Sequence, residues 1–181
     1  MESGRSAQTQ TRDHRPAAQA DVKGWFMNVQ IRRLDRQEAG LAEEVVRWFK
    51  GSSRSPGSMR GFLGNPANYL LIAEAEGEVG GFLMAYRLER ADREASQMFV
   101  YELGVAAPLR GQGLATALIE GITALARAEG MFEAFVLTSQ GNDPARRLYA
   151  RTGGVVEDDS AVLFVYPFGA EAPPGPQQQG S

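Results

Sequence analysis

The sequence predicts an α/β fold of the α+β kind: a mixed, mostly antiparallel sheet of six to seven strands flanked by about four helices. Three observations predict it. Apolar residues recur with period two in short runs and with helical period between them. The runs in the middle of the chain follow one another across tight turns, which is hairpin wiring. Late in the chain a strand-like run, a helical run and a second strand-like run follow in order, which reads as a crossover and makes the sheet mixed.

Each element has its own signal. Asn28–Leu34 (NVQIRRL) reads as a short strand. Asp35 then caps a helix, with Glu38 three residues on as its capping-box partner. Leu41, Val45, Trp48 and Phe49 fall on one face of that helix. Gly51 to Gly57 is a loop, and a short helical turn follows around Met59–Leu63. Tyr69–Glu76 and Val79–Glu89 flank the turn residues Glu76-Gly77-Glu78 and form a hairpin. Met98–Val105 is the next strand. Gly113–Glu129 carries Leu114, Leu118, Ile122 and Leu125 along one helical face, and Gly130 ends it. Phe132–Thr138 is a strand, Asp143–Arg151 a helix, and Val155–Val165 one or two final strands.

Length and composition bound the function. The 181 residues suit one domain, with 43% hydrophobic and 23% charged residues giving globular composition. The domain is expected over 27–168. Residues 1–26 lack periodicity and read as a disordered tail, or as sequence upstream of a true start at Met27. Residues 169–181, rich in Pro, Gly and Gln, read as a second tail. No secretory signal and no membrane span is expected, which favours a cytoplasmic location. There is no cysteine, hence no disulfide and no thiolate metal site. The one histidine, His14, lies in the first tail, so neither a Ser-His-Asp triad nor a histidine metal site is expected. A net charge of −3 and a pI near 5.3 argue against a nucleic-acid partner. The basic residues are seventeen Arg and two Lys, Lys23 and Lys50, which reads as genome composition rather than function.

The most informative stretch runs from Val105 through Arg110-Gly111-Gln112-Gly113-Leu114-Ala115-Thr116. It leaves a strand and opens a helix. Gly111 and Gly113 allow a tight turn and close approach to a ligand. The unpaired N–H groups of the first helical turn add a positive dipole end, which together make an anion cradle suited to a pyrophosphate. Arg110 can add a charge-assisted bond to a phosphate oxygen. The plain alternative is a glycine-rich turn with no ligand. A Walker A loop is excluded because no Lys-Ser/Thr follows the glycines. A dinucleotide fingerprint would need a third glycine where Thr116 stands.

A second segment runs Asn142-Asp143-Pro144-Ala145 to Leu148-Tyr149 and Gly153. Asn142, Ala145 and Tyr149 are spaced to share one face of a helix or its cap. Asn142 can cap the helix or bond an amide of a bound chain. Ala145 leaves room for a thin ligand arm, and Tyr149 presents a phenol that can donate a proton. The plain alternative makes Leu148 and Tyr149 core and Asn142 only a cap.

Together the two segments resemble the R/Q-x-x-G-x-G/A and N-x-x-A-x-x-L-Y-x-x-x-G motifs of the GNAT acetyltransferases, over roughly residues 28–167. The resemblance implies a GNAT-like fold and acetyl-CoA as co-substrate, with no metal. It implies that Arg110, Gly111, Gln112, Gly113, Leu114, Ala115 and Thr116 hold the pyrophosphate. Leu103, Val105, Asn142, Ala145 and Tyr149 would border the rest of the cofactor. The fourth and fifth strands would splay around the thioester, and a backbone N–H near Val105 would polarise its carbonyl. Tyr149 would protonate the departing thiolate. Glu102 is the candidate base, a hook for a cationic amine, or a buried partner for an arginine.

Within the family the chain resembles the class I aminoglycoside 3-N-acetyltransferases, in Phe99-Val100-Tyr101-Glu102-Leu103-Gly104-Val105, in Arg110 to Leu118 and in Gly141-Asn142-Asp143-Pro144-Ala145. That implies a small cationic amine substrate, with Glu102 and Asp143 as its carboxylates, and a homodimer. Departures lie at Ser139-Gln140, where the resembled enzymes carry an Asp-Tyr pair, and at Asn142, where they carry Asp. The departures imply a pocket that has lost anionic contacts or has moved them to Glu157-Asp158-Asp159, a triplet whose plain reading is an exposed turn. Other readings are acetylation of a protein or metabolite amine, or a non-catalytic acyl-CoA-binding module. A toxin acting on charged tRNA is disfavoured by the acidic pI.

Overall fold

The structure is a computed structural model that describes residues 29–158 together with Ser160 and Leu163. The two expected tails and His14 lie outside the described residues. The chain forms β1 (Val29–Arg33), α1 (Ala39–Lys50), α2 (Pro56–Gly64), β2 (Asn68–Ala75), β3 (Glu78–Arg90), β4 (Arg93–Val105), α3 (Leu114–Ala128), β5 (Glu133–Val136) and α4 (Asp143–Arg151). The sheet has the order β1-β2-β3-β4-β5. Its first four strands pair antiparallel, and β4 pairs parallel with β5. The mixed class is as expected, with five strands among the described residues instead of six to seven. Of the expected last strands over Val155–Val165, residues 155–158, 160 and 163 are described and run without strand pairing. The remainder lies outside the described residues. No described helix is long and apolar enough to cross a membrane.

Local chemistry explains most boundaries. Asp35 accepts from the N–H of Gln37 at 2.6 Å, and Glu38 accepts from the N–H of Asp35 at 3.0 Å. This capping box starts a short 3-10 turn that runs into α1. Gly51, at φ 75°, stops α1. Glu76 and Gly77, both at positive φ, join β2 to β3, as a two-residue hairpin of right-handed twist requires. β4 begins at Arg93, well before the expected Met98. Arg93–Gln97 is polar, so hydrophobic periodicity does not reveal it; its ladder with β3 does, closed at the tip by Arg90 and Asp92 at 2.7 Å.

The sheet is buried on both faces, which is why β2 reads as the unbroken apolar run Tyr69–Ala73. Tyr69, Leu71, Leu83, Met98 and Val100 face α3, meeting Leu114, Leu118 and Ile122. Leu70, Ile72 and Phe82 face α1 and α2, meeting Ala42, Val45 and Met59. Glu129, just past α3, pins that helix to three strands. It accepts from the Tyr69 hydroxyl at 2.5 Å and pairs with Arg33 at 3.7 Å and Arg87 at 3.5 Å. Burial, and then Glu129, push the Tyr69 phenol up.

One irregularity decides what β4 displays. Met84 pairs with Glu102 but Ala85 pairs with Val100, so Tyr101 is the extra residue of a bulge. Before it, Met98 and Val100 face the α3 core; after it, Leu103 and Val105 pack there again. Tyr101 and Glu102 therefore both turn to the α1 face, where Tyr101 meets the Tyr86 ring at 5.6 Å. Two residues on, Gly104 lies under α1. A Cβ there would sit 2.6 Å from Phe82 Cε1 and 3.0 Å from Phe49 Cδ1. Neither ring has a flexible end that could swing away. Gly104→Ala is expected to destabilise the fold by about 1–3 kcal/mol through overpacking. Urea unfolding should show a lower midpoint with the slope retained; an unchanged midpoint would mean that the two rings give way freely.

Candidate active site

The site grows from a mismatch in strand length. β4 and β5 pair only from Gln97↔Glu133 to Val100↔Val136. β4 then continues to Val105 with β5 gone, so the sheet opens beside Tyr101–Val105. Leu103 and Val105 line the α3 side of this opening, and Tyr101 and Glu102 face the α1 side.

The turn that follows supplies backbone donors. Gly111 and Gly113 stand at φ 78° and 89°, and an added Cβ at either would meet nothing within 4 Å. Glycine is needed there for conformation rather than for space. Gly113 is the N-cap of α3 and no side chain caps that helix, whereas Ser55 and Asn142 cap α2 and α4. The first-turn amides, Leu114, Ala115 and Thr116, therefore lack partners within the helix. The Leu114 side chain is buried in the core, so only its N–H can serve a ligand. Gln112 Nε2 donates to the Pro108 carbonyl at 3.1 Å and Arg110 Nε to that of Val105 at 3.4 Å, bracing the loop. Thr116 Oγ1 accepts from Arg151 at 3.1 Å, which ties the start of α3 to α4.

α4 carries the second motif. Asn142 Oδ1 accepts from the Ala145 N–H at 3.3 Å, so the cap reading holds, and its Nδ2 is left as a donor. Asp143 is exposed at the first position of α4, and Ala145 is half-buried. Leu148 is core. Tyr149 is half-buried against the same cluster as Leu103, Val105 and Ala115. Burial pushes its phenol above the ordinary tyrosine range. Tyr149 and Glu102 are thus on opposite faces of the sheet. Asp143 begins a helix on the Tyr149 side and is not gathered with Glu102. Among the acids after α4, Asp158 accepts from the N–H and hydroxyl of Ser160 at 2.8 and 2.6 Å, a local turn; Asp159 lies outside the described residues.

Glu102 has a partner that sequence reasoning missed. Lys50 Nζ, at the end of α1, donates to Glu102 Oε1 at 2.5 Å. Glu102 is thus ion-paired, but to a lysine at a half-exposed site and not to an arginine in a buried one. The 52-residue separation leaves no local pattern. The available signal was compositional, since Lys50 is one of two lysines among seventeen arginines. The Tyr101 bulge was also missed. It places Tyr101, 58% exposed, in a chain of edge-on rings with Tyr86 and Phe99, and Phe99 stacks on Phe135 at 4.9 Å.

Comparison with known proteins agrees with this architecture. An uncharacterised N-acetyltransferase of Mycobacterium tuberculosis is 27% identical over 113 residues, which is 62% of this chain and 69% of the relative. An aminoglycoside acetyltransferase from an uncultured soil metagenomic sample superposes with a TM-score of 0.73 at 30% identity, covering 79% of this chain and 100% of the other. A second soil metagenomic aminoglycoside acetyltransferase, solved in complex with sisomicin, shares the fold with a TM-score of 0.68 at 24% identity, covering 78% and 97%. Residues 30–154 match the acetyltransferase (GNAT) family, spanning the sheet, the glycine turn and α4. By fold and by sequence, the chain belongs to the GNAT acetyltransferases.

Proposed function

We propose that the protein transfers acetyl from acetyl-CoA to a primary amine of a small cationic substrate, with an aminoglycoside 3-amino group as the first candidate. The observation that carries this reading is the opening beside Tyr101–Val105, with the Tyr149 phenol on one face and the Glu102 carboxylate on the other. The cofactor supplies an activated acetyl thioester. Gly111 and Gly113 shape the turn, and the amides of Leu114, Ala115 and Thr116 are suited to its pyrophosphate, with Arg110 and Gln112 beside them. Leu103, Val105, Asn142 and Ala145 border the arm. A backbone N–H near Val105 serves as the oxyanion donor.

Glu102 holds the acceptor ammonium and takes its proton, because only a neutral amine is nucleophilic. Tyr149, kept protonated by burial, gives a proton to the leaving sulfur. Holding amine and thioester in register supplies much of the rate. The aminoglycoside assignment draws on the Phe99–Val105 and Gly141–Ala145 tracts and on the 30%-identical soil enzyme. A second reading, a metabolite amine of lower charge, is favoured by the pairing of Glu102 with Lys50 and by the exposed Tyr101 ring beside it. Thiol release from acetyl-CoA with gentamicin, kanamycin, spermidine or a lysine peptide decides between them. Rapid release with gentamicin alone supports the drug reading, and release with another amine replaces it. Coenzyme A binding without release from any amine would leave a binding module.

Glu102→Gln is expected to cut kcat at least about tenfold while acetyl-CoA affinity is kept. An unchanged kcat removes Glu102 from the reaction. Tyr149→Phe is expected to lower kcat by about 10²-fold, the usual contribution of a general acid. The same variant checks the ionisation by ultraviolet titration. The phenol lost from the difference spectrum should titrate above about pH 10. The sign follows: a raised folded value contributes stability below that pH, and the contribution is lost as pH rises through the folded value. A phenol that titrates at or below pH 10 (about the free tyrosine value) rules out a buried acid.

A further inference from the structure

Lys50 stands out among the cations of the fold. The other ion pairs of the described residues, with Glu38, Glu43, Glu74, Glu129 and Asp92, use arginine. Arginine does not give up its proton, whereas lysine becomes a nucleophile once it does. The chain thus sets a primary amine on the carboxylate that β4 itself carries in its open part.

The placement is built. Phe49 packs on Phe82 with ring centroids 4.7 Å apart, and Gly104 leaves the room that lets α1 come down on β4. Gly51 turns left-handed at φ 75° and its N–H returns to the Arg47 carbonyl at 2.8 Å, so the helix stops directly after Lys50. The lysine stem is then delivered to Glu102, and Nζ lies 2.5 Å from Oε1.

We propose that Lys50 is a self-acetylation site: its Nζ stands in the position of the acceptor amine and takes the acetyl group itself when no other amine is present. This rests on the reading of Glu102 as the carboxylate that holds the acceptor. Glu102 takes one proton from the Lys50 ammonium and passes it to solvent. The neutral nitrogen attacks the carbonyl carbon of the acyl thioester. The N–C bond forms and the C–S bond breaks, and sulfur takes the second proton to leave as a free thiol. No oxidant or reductant is involved. The product is a neutral amide, so Glu102 loses its internal cation and is left to an external ammonium.

The chain provides its own control, because Lys23 is its only other lysine. The full-length protein is incubated with acetyl-CoA and no added amine, digested, and both lysines are quantified by mass spectrometry. Acetylation of Lys50 is expected to outrun that of Lys23 by at least about tenfold, the minimum for a positioned amine. The fraction modified should not depend on protein concentration. Glu102→Gln should slow Lys50 about tenfold and leave Lys23 unchanged. Lys50→Arg, which keeps a cation on Glu102, should abolish the modification at that position. Without any acetyl-CoA, 15N spectra of lysine-labelled protein should show the Lys50 ammonium signal shifted in Glu102→Gln and the Lys23 signal unmoved. Equal acetylation of the two lysines, or a Lys50 signal indifferent to Glu102→Gln, overturns the proposal. If external amines are acetylated and Lys50 is not, self-acetylation fails and the enzyme reading stands. If neither is acetylated, both fail.

Discussion

Side chains along a strand alternate between faces, and β4 has to serve two cores and two halves of a site under that constraint. Met98 and Val100 must reach the α3 core, and so must Leu103 and Val105. An unbroken strand cannot satisfy both pairs, because 100 and 103 differ in parity. The extra residue at Tyr101 resolves the conflict. As a by-product it sets a phenol and a carboxylate side by side on the α1 face. The end of the β5 pairing at Val100 falls at the same place, so bulge and opening are one event in the backbone. Removing the bulge would not merely displace Glu102. It would send Leu103 and Val105 away from the core and exchange the two faces of the site.

Much of this was legible where the cause is local. The Asp35–Glu38 box, the Glu76-Gly77 turn, the left-handed glycines at 111 and 113 and the Asn142 cap are each set by neighbouring residues, and each lies where the pattern put it. Position-by-position reading failed where the cause is distant. Lys50 meets Glu102 only because α1 is laid over β4, and nothing near residue 50 encodes that. The bulge is a property of a pair of strands and is invisible in one. Arg93–Gln97 is held in the sheet by its ladder with β3, so its polar composition hides it. The rings that line the α1 face were each visible, but their assembly required the register of three strands.

The two halves of the candidate site are built from different parts of the chain. The turn before α3 offers main-chain amides fixed by two glycines, with Leu114 turned inward, so side-chain identity matters little there. The α1 face offers side chains: Glu102, Lys50, Tyr101 and their ring neighbours. A turn shaped by glycines depends little on its neighbours' side chains, whereas a side-chain face is free to vary within one fold. This is the physical reason why the family of the chain is legible in Arg110–Thr116 and Asn142–Tyr149, both within the matched residues 30–154.

Glu129 sits at the far end of α3, about 22 Å from the helix start at 1.5 Å per residue. Its contacts with Tyr69, Arg33 and Arg87 anchor the helix to β1, β2 and β3 at the end opposite the glycine turn. An array of amides offered to an anion is useful only while the helix bearing it keeps its tilt. The stiffness of the cradle is therefore stored a full helix length from the cradle. Loss of a single carboxylate there would loosen the helix that carries the glycine turn, and an inventory of the residues around the turn would not reveal the cause.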